Sequence, residues 1–316
     1  MTGSGNPVFS FVLPVFNESM NITPMAEQLT RIGEELAAPF EVVWVNDGST
    51  DETEAMLEAL AGKDGRHRVY HFSRNFGHMA ALTAGLALSE ASGAVITLDA
   101  DGQHPPAMIP EMVSKWRRGV DVVQAARRHT DDAGVFKRVM SRCFYRVLNW
   151  LADLDLPPGA SDFRLLDRQV VDALNALPER VRFVRGLVYW AGYAREEVAY
   201  DAPARLGGKT KYGAWKMMRF ALSGITSFSN RPLRIAFFAG AAVTCAAGLY
   251  AVYILWCYLN GVPLVPGWTS MLLTVLILSG VQLLTLGIAS EYLARLFFEQ
   301  KGRPVYLLRR TRVRRP

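Results

Sequence analysis

The run Val95-Ile96-Thr97-Leu98-Asp99-Ala100-Asp101-Gly102-Gln103 puts two carboxylates and an amide directly behind a short strand-like stretch. Carboxylates this close repel unless solvent or a cation offsets them, and hard oxygen ligands suit Mg²⁺ or Mn²⁺ bridging to phosphates. Asp99 and Asp101 are the candidate ligands, with Gln103 as a neutral third oxygen. Two Asp one residue apart are common in turns, so the pair acquires meaning from its surroundings. Those include two long uncharged stretches further along the chain. The combination points to a metal-dependent enzyme that handles a phosphorylated substrate at a bilayer surface.

Strand-like and helix-like stretches alternate over the first 175 residues. Strands are expected at 9–13, 41–45, 69–72, 95–98 and 120–125, and helices at 22–36, 52–60, 78–91, 106–118 and 135–153. Such alternation implies a parallel or mostly parallel sheet covered on both faces, with ligands bound beyond the carboxyl ends of the strands. Polar residues collect at four of those ends: 14–18, 46–51, 73–77 and 99–103. Each has a plain structural alternative. Ser49 with Glu52 would make a capping box behind an Asp47-Gly48 turn, Asn17-Glu18 would open a helix, and Gly77 would serve an unusual backbone conformation. His78 and His104 have no partner histidine at metal spacing and are expected in loop or core positions.

Charge divides the 316-residue chain. Residues 1–204 carry 20 basic and 27 acidic side chains, and residues 205–316 carry 15 and 2. The basic part brackets apolar runs, which favours anionic lipid headgroups over nucleic acid as its partner. Residues 235–259 and 268–290 contain no charge, and each exceeds the roughly 20 residues a spanning helix needs. Lysines and arginines flank the pair on both outer sides, so a hairpin with both flanks in the cytoplasm is expected at the inner membrane. Trp256, Tyr258 and Trp268 would sit at the far boundary. Residues 212–230 read as an amphipathic helix lying along the interface or packed on the soluble domain. The expected organisation is a domain over 1–204, a basic loop and juxtamembrane helix over 205–234, two spans within 235–298 and a basic tail over 299–316. Cys143, Cys245 and Cys257 have no metal spacing and imply no disulfide framework, and no cleavable signal peptide is expected at the N-terminus. The small residues Gly240, Ala241, Ala242 and Gly248 permit either packing within one hairpin or a homo-oligomer.

The ordered strings Leu13-Pro14-Val15-Phe16-Asn17-Glu18, Val45-Asn46-Asp47-Gly48-Ser49-Thr50-Asp51, Ser73-Arg74-Asn75-Phe76-Gly77-His78 and Asp99-Ala100-Asp101-Gly102-Gln103-His104-Pro105-Pro106 resemble the family 2 glycosyltransferases. More narrowly, they are similar to the polyprenyl-phosphate glycosyltransferases. The likeness continues through Ser161-Asp162-Phe163-Arg164-Leu165-Leu166, Arg182-Phe183-Val184-Arg185-Gly186, Arg205-Leu206-Gly207-Gly208-Lys209-Thr210-Lys211-Tyr212, Gly224-Ile225-Thr226-Ser227-Phe228-Ser229 and both apolar stretches. Asn46 and Gly102 depart from the usual Asp and Leu.

The resemblance implies a GT-A (Rossmann-like) α/β domain that binds a nucleotide-sugar at the strand ends. Pro14, Phe16, Glu18 and Asp47 would meet the base and ribose, with Asp99 and Ala100 beside the nucleotide. Asp101 and Gln103, with Asp99, would hold Mg²⁺ or Mn²⁺ on the diphosphate. Arg164, Arg205 and Lys211 would face phosphates of the donor or of a polyprenyl phosphate acceptor. The likeness of Phe76-Gly77-His78 and Asp162-Phe163-Arg164 to bacterial glucosyltransferases favours UDP-glucose, with GDP-mannose as the alternative donor. A lipid phosphate is already an oxyanion near neutral pH, so positioning and charge neutralisation matter more than a strong base, and direct displacement would invert the anomeric centre. Asp162 is expected as a base or orienting carboxylate near the acceptor, with helix N-capping as its alternative. A processive polymer synthase is disfavoured, because Gln-x-x-Arg-Trp is missing and one hairpin is too little membrane for a channel. A non-catalytic adaptor is the competing class, opposed by the intact carboxylates.

Overall fold

The structure is a computed structural model, and it describes residues 6–127, 149–151, 160–180, 182–200, 225, 229–260 and 267–309. Strands β1 (Phe9–Val15), β2 (Phe40–Asn46), β3 (His67–His71), β4 (Ala94–Thr97), β5 (Val122–Arg127), β6 (Ala160–Asp167) and β7 (Arg195–Tyr200) form one sheet in the order β3-β2-β1-β4-β6-β5-β7. The first four strands are mutually parallel, as the alternation predicts. The sheet is mixed beyond β4. β6 runs antiparallel between β4 and β5, and β7 lies parallel to β5 at the far edge. β6 and β7 are additions to the expected strands. β6 carries Asp162 and Arg164 inside the sheet, and β7 opens on Arg195, Glu196 and Glu197, which lack the apolar run that marks the central strands.

Helices cover both faces, as buried parallel strands require. On one face α1 (Ser19–Glu35), α2 (Thr53–Lys63) and α4 (Ile109–Trp116) pack Ile22, Leu29, Leu57 and Met112 against Phe9, Phe11, Leu13 and Trp44. On the other, α3 (His78–Leu88), α5 (Arg168–Ala176) and α6 (Val184–Trp190) close over Val12, Val43, Val45 and Val95. α3 lies so close to β1 that a Cβ on Gly85 would meet Val12 Cγ1 at 2.2 Å. The parallel strands end at one edge of the sheet. Because β6 runs the other way, it begins at that edge, with Thr97 paired to Arg164.

Two further helices, α7 (Arg231–Leu259) and α8 (Trp268–Gln300), are long and apolar enough to cross a membrane over Arg231–Cys257 and Ile277–Gln300. They pack on each other, consistent with a hairpin, while Phe237, Leu249, Met271 and Leu284 are exposed, the reverse of core helices. At 1.5 Å per residue α8 is about 50 Å long, against about 30 Å of bilayer hydrocarbon. It runs ten residues past the expected end of the uncharged stretch. The basic residues expected at 205–219 and 310–316, and the juxtamembrane helix apart from Ile225, Ser229 and Asn230, lie outside the described residues. So does most of the helix expected at 135–153. Among the described residues, nothing beyond its chain neighbours and its own helix backbone lies within 4 Å of a Cβ placed on Gly240 or Gly248.

The chain after α8 returns to the N-terminal domain. Ser73 N donates to Leu307 O at 2.9 Å, Arg309 N donates to His71 O at 2.8 Å, and Phe72 and Leu308 form an antiparallel bridge. Residues 307–309 thereby cover the exposed edge just beyond β3.

One buried histidine sets an acid limit on this fold. His67 Nδ1 accepts from Trp44 Nε1 at 3.0 Å, and Nε2 lies 3.2 Å from Thr30 Oγ1, so the neutral ring is the form that fits. Burial pushes its pKa below the ordinary value near 6.5, with Asp64 opposing and Arg66 assisting. The unfolded chain therefore binds this proton first, and stability is lost as pH falls below the unfolded pKa. Thermal unfolding of the detergent-solubilised protein between pH 7 and pH 5 should show a smaller acid loss in His67→Gln than in the wild type.

Candidate active site

The four polar clusters meet at the strand ends, and hydrogen bonds tie the first three to one another. Asn17 N donates to Ser49 Oγ at 2.9 Å, Thr50 N donates to Asn17 Oδ1 at 2.8 Å, and Ser19 N donates to Asp51 Oδ2 at 3.3 Å. The expected capping box does not form. Ser49 is turned towards the loop after β1, and Thr53 N, at the start of α2, is held by Asp51 Oδ1 at 3.1 Å. Asn46 is buried; its Oδ1 accepts from Ser49 N at 3.0 Å and its Nδ2 lies 3.0 Å from His71 Nδ1. The departure from Asp at this position thus has a local role in shaping the loop.

Asp47 is buried, and its carboxylate accepts from Phe76 N at 2.6 Å and Gly77 N at 2.9 Å, which fastens the loop after β3 to the loop after β2. Burial pushes the Asp47 carboxyl up, opposed by those two amides. Gly48 completes the join. Its φ is +69°, and a Cβ there would lie 2.6 Å from the Arg74 carbonyl carbon, so backbone conformation and space both require glycine. Among the other expected nucleotide contacts, Pro14 is buried within β1 and Ala100 within the core, whereas Phe16 is 44% exposed at the strand end. Arg205 and Lys211 lie outside the described residues.

Asp99 and Asp101 follow β4 as expected. Asp101 Oδ1 accepts from Gln103 N at 3.0 Å, and Asp99 N donates to His104 Nδ1 at 2.9 Å. A ring nitrogen that accepts from an amide presents a lone pair, so His104, 3.6 Å from Asp99 Oδ2, lends that carboxylate no proton. His104 is buried and stacks on Phe163 of β6 at 5.3 Å, the satisfied core position expected for it. Glu18 faces the same ground. Burial pushes its carboxyl up, Asn21 opposes through a 2.6 Å hydrogen bond, and Asp101 and Asp99 raise it further.

This concentration of negative charge bears on the expected metal. Among the described residues no three His, Cys, Asp or Glu side chains form a ligand cluster. Mg²⁺ is commonly held by one or two carboxylates with substrate phosphates completing its shell. Asp99 and Asp101, with Gln103 alongside, fit that kind of open site and would be the residues to hold the ion.

Facing them is a second cluster built on Asp162. It sits in β6 and caps no helix; Asp167 caps α5 by accepting from Gln169 N at 2.9 Å. Asp162 is 6% exposed, and Arg164 Nη2 donates to its Oδ1 at 3.0 Å while Arg185 Nη2 donates to its Oδ2 at 2.8 Å. His78 Nε2 lies 3.4 Å from Asp162 Oδ2 and 3.6 Å from Asp99 Oδ1, so one imidazole bridges the two clusters. Burial alone would push the Asp162 carboxyl up, but Arg185, His78 and Arg164 hold it well below the usual carboxylate range. His78 shows the converse: burial lowers its pKa, and Asp162 and Asp99 together raise it above the ordinary value. Arg164 is 1% exposed, and its Nε and Nη1 have no hydrogen-bond partner among the described residues.

His78 and Arg185 are the two residues whose place here the sequence did not show. His78 opens α3, and its neighbours 3–4 Å away lie 21 and 84 positions downstream, beyond any local spacing signal. Arg185 had a signal of a kind, within Arg182-Phe183-Val184-Arg185-Gly186, without a partner to give it a role.

The glycosyl transferase family 2 profile matches residues 10–174, which include every strand-end cluster just described. The chain belongs to glycosyl transferase family 2. It is 40% identical over 303 residues to the bactoprenol glucosyl transferase of Shigella phage SfX, covering 95% of this chain and 98% of that protein. It is 38% identical over 305 residues to the prophage bactoprenol glucosyl transferase homolog of Escherichia coli K12, covering 96% and 99%. Among solved structures it is similar to glucosyl-3-phosphoglycerate synthase from Mycobacterium tuberculosis in complex with Mn²⁺, UDP-glucose and phosphoglyceric acid, at 21% identity and a TM-score of 0.46, covering 70% of this chain and 78% of that one. Within the family 2 domain, both oxygens of the Asp162 carboxylate are engaged by arginines, an arrangement that would suit orienting and charge balance.

Removing one partner of a buried ion pair costs about 3–5 kcal/mol, because the remaining charge stays buried. Asp162→Asn should therefore lower the melting temperature and depress turnover across the whole pH range. A pH–rate profile paired with thermal unfolding checks this: an acid limb that disappears while stability stays intact would instead make Asp162 a base.

Proposed function

We propose that this family 2 glycosyltransferase moves glucose from UDP-glucose to the phosphate of a polyprenyl lipid on the cytoplasmic face of the inner membrane, with inversion at the anomeric carbon. The observation that carries this reading is the opposition of the Asp99–Asp101 carboxylates to the Arg164–Asp162–Arg185 cluster, bridged by His78. One side suits a cation on a diphosphate, and the other suits an anion. Relatives named as bactoprenol glucosyl transferases align over nearly the whole chain, including both long apolar helices, which favours a polyprenyl acceptor and glucose as the sugar.

Each set of residues then has a task. Asp47, by holding the amides of Phe76 and Gly77, shapes the floor on which base and ribose rest, with Phe16 and Glu18 at its rim. Asp99, Asp101 and Gln103 would hold Mg²⁺ or Mn²⁺, which when bound offsets the charge of the leaving diphosphate. Arg164 brings two buried nitrogens, Nε and Nη1, that have no partner among the described residues, a costly state that a phosphate oxygen would relieve. Arg205 and Lys211, placed by resemblance alone, would add positive charge beside a phosphate. Asp162 keeps Arg164 and Arg185 oriented, and His78 fixes the distance between donor and acceptor sides. The lipid phosphate attacks as an oxyanion, so the protein need not remove a proton from it.

Nucleotide release by the detergent-purified full chain, across UDP- and GDP-sugars with and without polyprenyl phosphate and Mn²⁺ or Mg²⁺, tests the reading. Release should require lipid and metal together and be greatest with UDP-glucose. Asp101→Asn should reduce it by about two to three orders of magnitude, the range for loss of one charge-stabilising group. Release only with GDP-mannose would reassign the donor, and metal-dependent nucleotide binding without release from any donor would make the protein an adaptor.

A further inference from the structure

The segment after α8 runs against the loop that Asp47 holds. Tyr306 stacks on Phe72 with ring centroids 5.1 Å apart and planes 9° from parallel, and Phe72 meets Phe76 edge to face at 5.6 Å. Arg74 covers the other part of Phe76, its guanidinium carbon 4.0 Å from the ring centroid. Phe76 N in turn donates to Asp47. A continuous packed path thus runs from Tyr306 through Phe72 and Phe76 to the buried carboxylate of the strand-end site. The backbone follows the same route, with Ser73 N on Leu307 O and Arg309 N on His71 O on either side of the Phe72–Leu308 bridge.

Both ends of this segment are secured. Arg309 pairs with Glu54 at the start of α2. At the other end the Glu299 carboxylate accepts from Arg180 N at 3.1 and 3.0 Å, and Arg180 Nη1 donates to Arg303 O at 2.9 Å. Nine residues therefore join the end of the second long apolar helix to the loop after β3. Without them that loop would rest on Asp47 and the Gly48 turn, beside an edge strand with open backbone groups.

We propose that residues 305–309 act as a strap, with Tyr306 as a positioning residue that fixes the 73–77 loop for nucleotide binding and so couples the donor site to the emergence of α8 from the bilayer. This rests on the reading of the strand ends as a nucleotide-sugar site. The strap acts through Phe72 and Phe76 and touches no reacting atom, so its loss falls on donor affinity rather than on the chemical step.

Two variants of the full chain in detergent test this: Tyr306→Ala, which removes the stack, and Tyr306→Phe, which keeps it. Amide exchange at 73–77 reads the strap without any ligand, and titration with UDP and Mn²⁺, together with KM and kcat for the UDP-sugar, reads the consequence. Tyr306→Ala should speed exchange at Phe76 and Gly77 and weaken UDP binding and raise KM about three- to tenfold, the effect of one lost aromatic pair, with little change in kcat. Tyr306→Phe should restore most of that loss. Unchanged exchange in Tyr306→Ala, equal impairment by Phe and Ala, or a loss confined to kcat would overturn the strap. Exchange that depends on Tyr306 in a wild-type protein that binds no UDP would instead overturn the nucleotide-sugar reading and leave the strap standing.

Discussion

Asp162 is a carboxylate that the fold buries almost completely, and the arrangement around it follows from the need to keep it ionised. Desolvation of a lone carboxylate is prohibitive, so hydrogen-bond donors have to come to it from elsewhere in the chain. Arg164 comes from two residues along β6, Arg185 from α6 and His78 from the first turn of α3. These elements converge only because β6 enters the sheet antiparallel beside β4. Thr97 Oγ1 donates to Asp162 O at 2.6 Å and fastens that register. A slip of one residue would turn Asp162 to the opposite face of the sheet and leave Asp99 without its counterpart.

The strand-end loops show the same economy of placement. Two of them are held by neighbouring loops, and one is shaped from within. The loop after β1 leans on Ser49 and Asp51, the loop after β2 is shaped by Asn46 and Gly48, and the loop after β3 hangs on Asp47 and, from outside, on residues 306–309. Donor groups fixed before a ligand arrives need not be reorganised when it binds, which is how such sites stabilise developing charge. The long apolar helices belong to this scheme, since α8 continues directly into the segment that closes the β3 edge.

Much of this was legible in the residues. The parallel half of the sheet, helices α1 to α4 and the clusters at the strand ends followed from alternation and from turn chemistry, and the two long helices from uninterrupted apolar length. β6 and β7 were not, for a physical reason. A strand that buries Asp162 and Arg164 reads as polar until its ion-pair partners are known, and an edge strand that opens Arg195-Glu196-Glu197 carries no apolar pattern. Ser49 and Glu52 matched a capping box by spacing alone, but Asn17, 32 residues away from Ser49, competed for the hydroxyl and won. His78 has no second histidine at metal spacing, and the two aspartates it does meet lie 21 and 84 positions downstream. In the sequence the tail after α8 shows only its basic charge, because its aromatic contact, Tyr306 on Phe72, spans 234 positions.

The sequence by itself determined β1 to β5, α1 to α4, the carboxylates beyond β4 and the apolar helices, because these depend on composition and on spacings within a few residues. Tertiary structure alone decided which charges face each other and which loop the C-terminal segment holds. Burial makes an ion pair or a ring stack between distant residues a matter of sheet register and chain direction, and neither is written in any local stretch of the chain.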